Sequence, residues 1–532
     1  MSITTCQSES TGFKPSGRPS SRMTDELAAE VRDALAVDAE GFNDRALADA
    51  DVVKDELAAG TFDNHQAIIG LEYEFYAVAD GRWAASDDGD THALMRVPRR
   101  LLEHVGFEKE LGLHNAEMTT NPQPMNASGL HAQESEVRAQ LRAALQCTSA
   151  EGIRLVSDGL WTIPPAGETA QEYLTNSVDD DGIRIATNMS RSVRYHAMAN
   201  GPRVPDSVTL DAPHVSLSAD TVMPESLISS IQPHFQVAYA ADLPTYFNYA
   251  LRVAGPLLAL GVNSPFFPPD LYDNVGAQRI LSDGHAENRI HVFESILNTT
   301  DTEKVRFPQD LDTVEDAVDR VADDATIVPM PVPRGDRFDD RFATLRRKHG
   351  TYWRWIRPVF DGASKSSANA RIEFRPLPAQ PTVRDSMAFQ ATFAGLMKSL
   401  AQREHPVINQ SWSTARENFY AAMRSGLESR QRWICNDGVE TIDQEVIYDD
   451  IFAHAIDGLT ASGCSESTAE TYIEPLRHRV KTQTTPASWK VDEVRDYLTD
   501  GVDLATAVSE MQRTYVKKQR ETLLDSSFLT WD

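Results

Sequence analysis

Hydrophobic positions along the chain change between the spacing of a strand and the spacing of a helix. Residues 67–81, AIIGLEYEFYAVADG, alternate from Leu71 and end in Asp-Gly, which predicts a strand followed by a turn. Other strands are predicted near residues 111–120, 208–218 and 370–377. Helical spacing is found in residues 24–60, 131–149, 222–261, 384–402, 414–430 and 490–524. Strands separated by helices of unequal length predict an α+β fold rather than a regular βαβ alternation.

The same sequence patterns indicate how the chain is divided into segments. Residues 1–22 are rich in Ser, Thr, Gly and Pro and are predicted to be a disordered tail without the apolar segment of a secretory signal. A helical extension is expected at 23–62, a main domain at 63–435 and a helical C-terminal region at 436–532. The longest apolar run, residues 249–262, contains Arg252 and Pro256, so we expect a buried helix or strand and no membrane span.

The net charge of the chain argues against some classes of binding partner. The 532 residues include 79 Asp or Glu and 51 Lys or Arg, for a formal net charge of −28. This excess argues against general electrostatic binding to nucleic acid or to anionic lipid. Acidic excess together with few lysines favours a protein of a salt-rich cytosol, although an ordinary acidic enzyme has the same sign of charge. The few cysteines have no paired spacing, which fits a reducing, cytoplasmic location.

The predicted strand at 67–81 carries the strongest chemical signal. Glu72 and Glu74 lie two residues apart, and such residues point to the same face of a strand. Two neighbouring carboxylates on a buried sheet are costly unless a cation lies between them, and Mg²⁺ prefers oxygen ligands. A polar stripe on a half-exposed strand would explain the same pattern. The chain contains no P-loop, GxGxxG, GxSxG or HExxH motif.

Other charged segments have both chemical and ordinary explanations. Glu110 and Glu117 lie seven residues apart, ahead of a Thr-Thr-Asn-Pro turn, and form either a second acidic feature or the edge of an amphipathic helix. Glu373 and Arg375 share a strand face, where they either flank a phosphate and its metal or form a weak ion pair. His214 lies on a predicted strand, where a histidine is more often structural. Residues 341–384 contain many cations and few acids, which indicates a phosphate site or a patch that neutralises acidic surface: Arg341, Arg346, Arg347, Lys348, Arg354, Arg357, Lys365, Arg371, Arg375 and Arg384.

In order, these segments resemble the glutamate–cysteine ligase and carboxylate–amine ligase family. The resemblance spans about residues 65–430 and rests on GLEYEFY, AEMTTNPQP, RYHAM, APHVSLS, LLALGVNSPFF, ARIEFRPLPAQPTVRDSMAF and ARENFYAAMRSGLES. It implies a glutamine synthetase-like fold, with a curved, mainly antiparallel sheet forming the cleft, helices outside, and a ligase catalytic domain at 63–435. A Ser at position 216, where the family has a second His, is a departure.

The resemblance also implies an activity and its residues. ATP would phosphorylate the γ-carboxylate of glutamate, and the amine of cysteine or another small molecule would displace the phosphate; a non-catalytic relative that binds a nucleotide or metabolite is the other class. ATP and two or more Mg²⁺ ions would be required, and a homo-oligomer is left open. The implied metal ligands are Glu72, Glu74, Glu110, Glu117 and Glu373. The implied catalytic residues are Glu373 and Arg375, the nucleotide contacts are His214, Arg357 and Arg375, and the substrate contacts are Asn263, Arg279 and Arg289.

Overall fold

The computed structural model describes residues 21–81, 92–201, 207–298, 303–333 and 335–531. The tail predicted at 1–22 therefore lies outside the described residues, apart from the last two positions, which begin the first helix.

The helices of the described chain lie mostly outside its main sheet. They are α1 (Ser21–Leu35), α2 (Ala39–Ala58), α3 (Arg99–Glu103), α4 (Ala127–Ser149), α5 (Ala170–Thr175), α6 (Val193–Asn200), α7 (Leu243–Gly261), α8 (Ala277–Asp283), α9 (Arg289–Leu297), α10 (Val314–Ala322), α11 (Ala343–His349), α12 (Val383–Gln402), α13 (Trp412–Ser425), α14 (Gln444–Ala461), α15 (Glu466–Thr482), α16 (Pro486–Thr499) and α17 (Leu504–Thr522).

The strands form one large sheet and three small hairpins. They are β1 (Ile68–Ala79), β2 (Phe107–Lys109), β3 (Asn115–Thr119), β4 (Gln123–Pro124), β5 (Ile153–Val156), β6 (Ser177–Asp180), β7 (Ile183–Ala186), β8 (Val208–Ala212), β9 (Val215–Ala219), β10 (Ile231–Gln236), β11 (Ile356–Asp361), β12 (Asn369–Phe374), β13 (Trp433–Ile434) and β14 (Glu440–Thr441).

Strand β1 is the centre of the large sheet. The strand order is β11-β12-β10-β1-β3-β2, and β4 and β5 also pair with β1. Every pairing in this sheet is antiparallel. The predicted α+β fold with a curled antiparallel sheet and outer helices is confirmed.

Strand β1 is amphipathic in its first half, with apolar side chains on one face and glutamates on the other. Leu71, Tyr73 and Phe75 are buried on one face, whereas Glu72 and Glu74 are less buried on the other. The buried face belongs to a hydrophobic core that extends from Leu27 to Trp531. The period of two therefore directs both glutamates to one face, as the sequence pattern predicted.

Other expectations needed correction. The stretch 222–261, expected to be helical, contains an α-helix only from Leu243. Before this helix lies strand β10, whose Gln232, His234 and Gln236 alternate with apolar residues. The single strand expected at 208–218 is the hairpin of β8 and β9, since the chain turns at His214 with a φ of 61°. The stretches 24–60 and 490–524 are each two helices.

The C-terminal helices pack tightly against the body of the protein. Helix α14 crosses α12 so closely that a Cβ atom at Gly458 would lie 1.9 Å from the carbonyl oxygen of Gly395. From α15, Arg479 donates to Asp385 of α12 at 2.9 Å, and both side chains are almost fully buried. Within the described ranges, every helix is too short or too polar to cross a membrane.

The buried Arg479–Asp385 pair gives a stability prediction. Arg479→Leu leaves the Asp385 carboxylate buried without its cation, so we expect the free energy of unfolding to fall by about 3–5 kcal/mol. Arg384→Gln is the matched control, because Arg384 pairs with Glu474 at the surface and should contribute less than about 1 kcal/mol. Urea unfolding in molar KCl measures both, and equal losses would contradict the assignment.

Candidate active site

One face of the large sheet gathers the predicted glutamates. Across the β1–β3 pairing, Glu74 lies directly opposite Glu117, and across β2–β3, Glu117 lies opposite Glu108. Because antiparallel partners lie on the same face, Glu72, Glu74 and Glu117 form one group of carboxylates. The register of three strands thus brings together residues up to 45 positions apart.

Hydrogen bonds fix the carboxylate of Glu74. Its Oε2 accepts from the backbone N–H of Ser230 at 2.6 Å, and its Oε1 accepts from Nε2 of Gln232 at 3.0 Å. Burial, followed by the charge of Glu110, raises the pKa of Glu74 to about 7. The side chain is held in place by donors on β10 and the segment before it, and its charge is not balanced there.

The neighbouring glutamates show the same imbalance. Burial raises the pKa of Glu117 well above its ordinary value, and the charges of Glu72, Glu110 and Glu74 raise it further. Burial also raises the pKa of Glu110 and of Glu225. Carboxylates that repel one another in a cleft are the donor set that suits a hard divalent cation.

A second group on this face contains a histidine. Ligand atoms of Glu72, His234 and Glu373 all lie within 4.8 Å of one another, and His234 is the antiparallel partner of Glu373. His234 Nε2 lies 3.2 Å from Glu72, while its Nδ1 accepts from Nε of Arg371 at 3.2 Å. A metal at Nε2 requires the proton to move to Nδ1, and Arg371 then keeps Asp361 and Asn369 as partners. The residues therefore fit a divalent ion.

Two arginines distinguish Glu373 from the other acids. Arg357 donates to its Oε2 at 2.9 Å and Arg375 to its Oε1 at 2.5 Å. Burial alone would raise the pKa of Glu373, but Arg357 and Arg375 outweigh burial and hold the pKa well below its ordinary value. The Nε–H of Arg375 is buried and has no hydrogen-bond partner within the described part of the chain. This donor remains available to an anion.

Five of these glutamates, together with Arg357 and Arg375, line a cavity of about 210 Å³, the carboxylate cavity: Glu72, Glu74, Glu110, Glu117 and Glu225. The sheet face forms its floor, Phe293 and Leu297 of α9 and Trp353 form part of its wall, and Arg194 with Tyr195 of α6 complete it. Arg194 donates to the Tyr195 hydroxyl at 2.9 Å and to the Gly350 carbonyl at 3.3 Å, and it makes no ion pair among the described residues. A cavity with glutamates and three arginines can bind a metal–phosphate complex beside a carboxylate substrate.

Most of the predicted site residues line this cavity. Those that do are Glu72, Glu74, Glu110, Glu117, Arg357 and Arg375, and Glu373 lies directly behind the two arginines. Arg289 lies beside the cavity and is not part of its lining: it donates to the carbonyls of Arg375 and Pro376, so it supports the end of β12.

Three expected contacts lie elsewhere. His214 sits in the β8–β9 turn, where its Nε2 lies 2.8 Å from Asp283, and Arg279 reaches the same Asp283 at 3.3 Å. Neither lines the carboxylate cavity, whereas His234 lies on the sheet face beside the glutamates, opposite Glu373. Asn263 is fully buried and donates to the carbonyl of Ala379 and the hydroxyl of Tyr515, which gives it a structural role at the end of α7.

The cation-rich segment 341–384 is not one anion site. Arg357 and Arg375 line the cavity, and Arg371 contacts His234. Most of the others pair with distant acids, as in the contacts of Arg341 and Lys365 with Glu56 and of Arg354 with Asp324. The helices and strands of this segment direct their cations to different surroundings. The excess of positive charge in the sequence therefore predicted a larger anion site than Arg357 and Arg375 form in the cavity.

A second group of possible metal ligands has a simpler explanation. His405 Nε2 donates to Asp450 at 3.1 Å, and its Nδ1 accepts from the backbone N–H of Val407 at 3.2 Å. Asp450 also accepts from the indole of Trp433 at 2.7 Å, and His454 bonds Ser399. These groups satisfy one another, so they stabilise the packing of α14 against the body.

Sequence reasoning missed His234, Gln232 and Glu225. The signal for the first two was present, because IQPHFQ alternates apolar and polar residues in the manner of a strand. Glu225 lies in a short 3₁₀ helix before β10 and carried no comparable signal.

Comparison of the sequence with models of protein families identifies the family of this chain. The model of glutamate-cysteine ligase family 2 (GCS2) matches residues 68–521. The chain belongs to this family. The match supports a carboxylate–amine ligase, and it includes α14 to α17, which the sequence analysis had placed outside the catalytic domain.

Similarity to individual proteins is low. A comparison with curated proteins finds no significant match. A glutamate–cysteine ligase from Francisella tularensis in complex with AMP is 12% identical, with 88% of this chain and 92% of that chain covered and a TM-score of 0.48. A bifunctional glutathione synthetase from Pasteurella multocida is 14% identical, with 88% of this chain and 54% of that chain covered and a TM-score of 0.45. The ligase PafA in complex with the ubiquitin-like protein Pup is 11% identical, with 88% of this chain and 71% of that chain covered and a TM-score of 0.34. Family membership therefore rests on the family model alone.

The opposed glutamates give a metal-binding prediction. Glu117→Gln removes one anionic ligand from the cavity, so we expect Mn²⁺ affinity, measured by calorimetry without nucleotide, to fall about tenfold or more. Glu108→Gln is the matched control, because Glu108 is the exposed register partner of Glu117 on β2 and acts on the cavity only through its charge, so it should lower the affinity much less. Equal affinities in the two variants would exclude Glu117 as a ligand.

Proposed function

We propose that this protein is an ATP-dependent ligase that joins the γ-carboxylate of glutamate to the amine of cysteine through an acyl phosphate. The observation that carries the proposal is the single sheet face on which Glu72, Glu74 and Glu117 adjoin His234 and the Arg357–Glu373–Arg375 group. Membership of the glutamate-cysteine ligase family supports the reaction class.

The residues fit two or more Mg²⁺ ions. Glu74, Glu110 and Glu117 would hold one part of the metal centre, and Glu72, His234 and Glu373 the other. When bound, Mg²⁺ neutralises the oxygens of the nucleotide phosphates and makes the terminal phosphoryl group easier to attack.

Protein side chains would perform the remaining tasks. Arg375, held by Glu373 and Gln232, would direct its free Nε–H at the transferred phosphoryl group, with Arg357 beside it. Arg194, which makes no ion pair in the described structure, would bind the α-carboxylate of the amino-acid substrate. The apolar wall of Phe293, Leu297 and Trp353 would exclude water, which would otherwise hydrolyse an acyl phosphate.

ADP release in molar KCl, with glutamate and a series of amines, tests this proposal. Glu74→Gln and Glu373→Gln should each lower the rate about 100-fold or more, because each removes a ligand or its charge from the phosphate site, while Glu108→Gln should retain activity. Cysteine should give the highest kcat/KM among the amines.

Two results would contradict separate parts of the proposal. A rate that does not depend on cysteine would exclude cysteine as the acceptor and leave the ligase assignment in place. Unchanged ATP turnover in both glutamate variants would exclude the metal-phosphate site itself.

A further inference from the structure

A second and larger cavity lies on the other side of helix α9. It has a volume of about 970 Å³ and is bounded by α9, residues 303–309, the end of α10, residues 352–354 and α13. This volume lies at the upper end of the range for pockets that bind small organic ligands. Its lining shares no residue with that of the carboxylate cavity.

Two segments form a common wall between the cavities. Helix α9 presents Phe293 and Leu297 to the carboxylate cavity, and Glu294, one position on, to the second cavity. The extended segment after α11 alternates in the same way, with Trp353 on one side and Tyr352 and Arg354 on the other. Glu294 accepts from Trp355 at 2.8 Å and from the Tyr420 hydroxyl at 2.7 Å, which fixes this wall.

Three arginines of the second cavity lack a carboxylate partner. Arg306, Arg416 and Arg424 make no ion pair among the described residues, and Arg306 donates only to the backbone carbonyl of Glu303. By contrast, Arg320 pairs with Asp316 at 2.6 Å and Arg354 with Asp324 at 2.8 Å. Three guanidinium groups without a carboxylate partner around one cavity are donors that a phosphate can engage, in a lining that also contains acids.

Aromatic rings and unpaired acids make the ligand more specific than a simple anion. Tyr352 and Tyr420 line the cavity, each with an arginine over its ring, at 4.2 and 4.8 Å respectively. Tyr352 and Arg354 are almost fully buried, so the half-buried ring of Tyr420, beside the exposed Arg416, is the flat surface on which a base can stack. Three lining carboxylates also lack an ion pair, and they can accept hydrogen bonds from hydroxyl and amino groups: Glu303, Asp323 and Glu417.

We infer that the second cavity binds a mononucleotide, with its phosphate on the unpaired arginines and its base against the ring of Tyr420. The carboxylates would accept from the ribose hydroxyls and the exocyclic amino group. This site is additional to the ATP site of the proposed function, because it lies outside the carboxylate cavity and needs no divalent metal.

Calorimetric titration of the full chain with AMP in the presence of EDTA tests this inference. AMP should bind the parent protein, and the double variant Arg306→Gln/Arg416→Gln should bind it about tenfold more weakly or worse, because each arginine contributes a charged hydrogen bond. Arg403→Gln is the matched control, since Arg403 is an exposed arginine paired with Asp457 outside both cavities. Circular dichroism confirms that the variants are folded.

Further comparisons separate this site from the carboxylate cavity. Glu74→Gln should retain AMP binding in EDTA, and adenosine and inorganic phosphate should each bind more weakly than AMP. The inference is overturned if AMP does not bind the parent protein, if phosphate binds as tightly as AMP, or if Glu74→Gln abolishes binding and the arginine variant does not. None of these results bears on ADP release, so the proposed function stands or falls separately.

Discussion

The repulsion among Glu72, Glu74 and Glu117 on one sheet face is the constraint on which the rest of the site depends. The antiparallel register of β1 and β3 places Glu74 directly opposite Glu117, and the hydrogen-bonded ladder prevents either from moving away. Helix α9 and Trp353 form part of the wall over this face, and burial raises the pKa of both groups. Holding such carboxylates together lowers the stability of the fold, and a divalent cation between them would offset this cost.

At the β11–β12 end of the same sheet face, the negative charge of the buried carboxylate is balanced by protein cations. Glu373 has two arginine partners and therefore remains ionised, and Arg375 keeps a buried donor free for an anion. The cleft thus combines a group of unbalanced carboxylates with a pair of arginines, whereas most other acids of the described residues are exposed or half-buried. Support comes from outside the sheet, since Arg289 holds the backbone after Arg375.

Sequence reasoning found the residues whose signal was local. Period-two alternation in GLEYEFY was enough to place Glu72 and Glu74 on one face, and ARIEF placed Glu373 on a strand. The pairing of Glu74 with Glu117 required the register, which no local pattern contains. His234 was missed because its strand was absorbed into a longer apolar segment that resembled a helix. His214 was included only because APHVSLS resembles a family motif, and the chain turns at this residue between β8 and β9. The partners of the cation-rich segment are distant in sequence, as with Arg341 and Glu56, so their pairing could not be foreseen.

The most direct test of the central claim is anomalous diffraction from crystals of the protein soaked in Mn²⁺. We predict peaks between Glu74 and Glu117 and between Glu72, His234 and Glu373, on the sheet face that lines the carboxylate cavity. No peak on this face, or a peak only at His405, Asp450 and His454, would contradict the account.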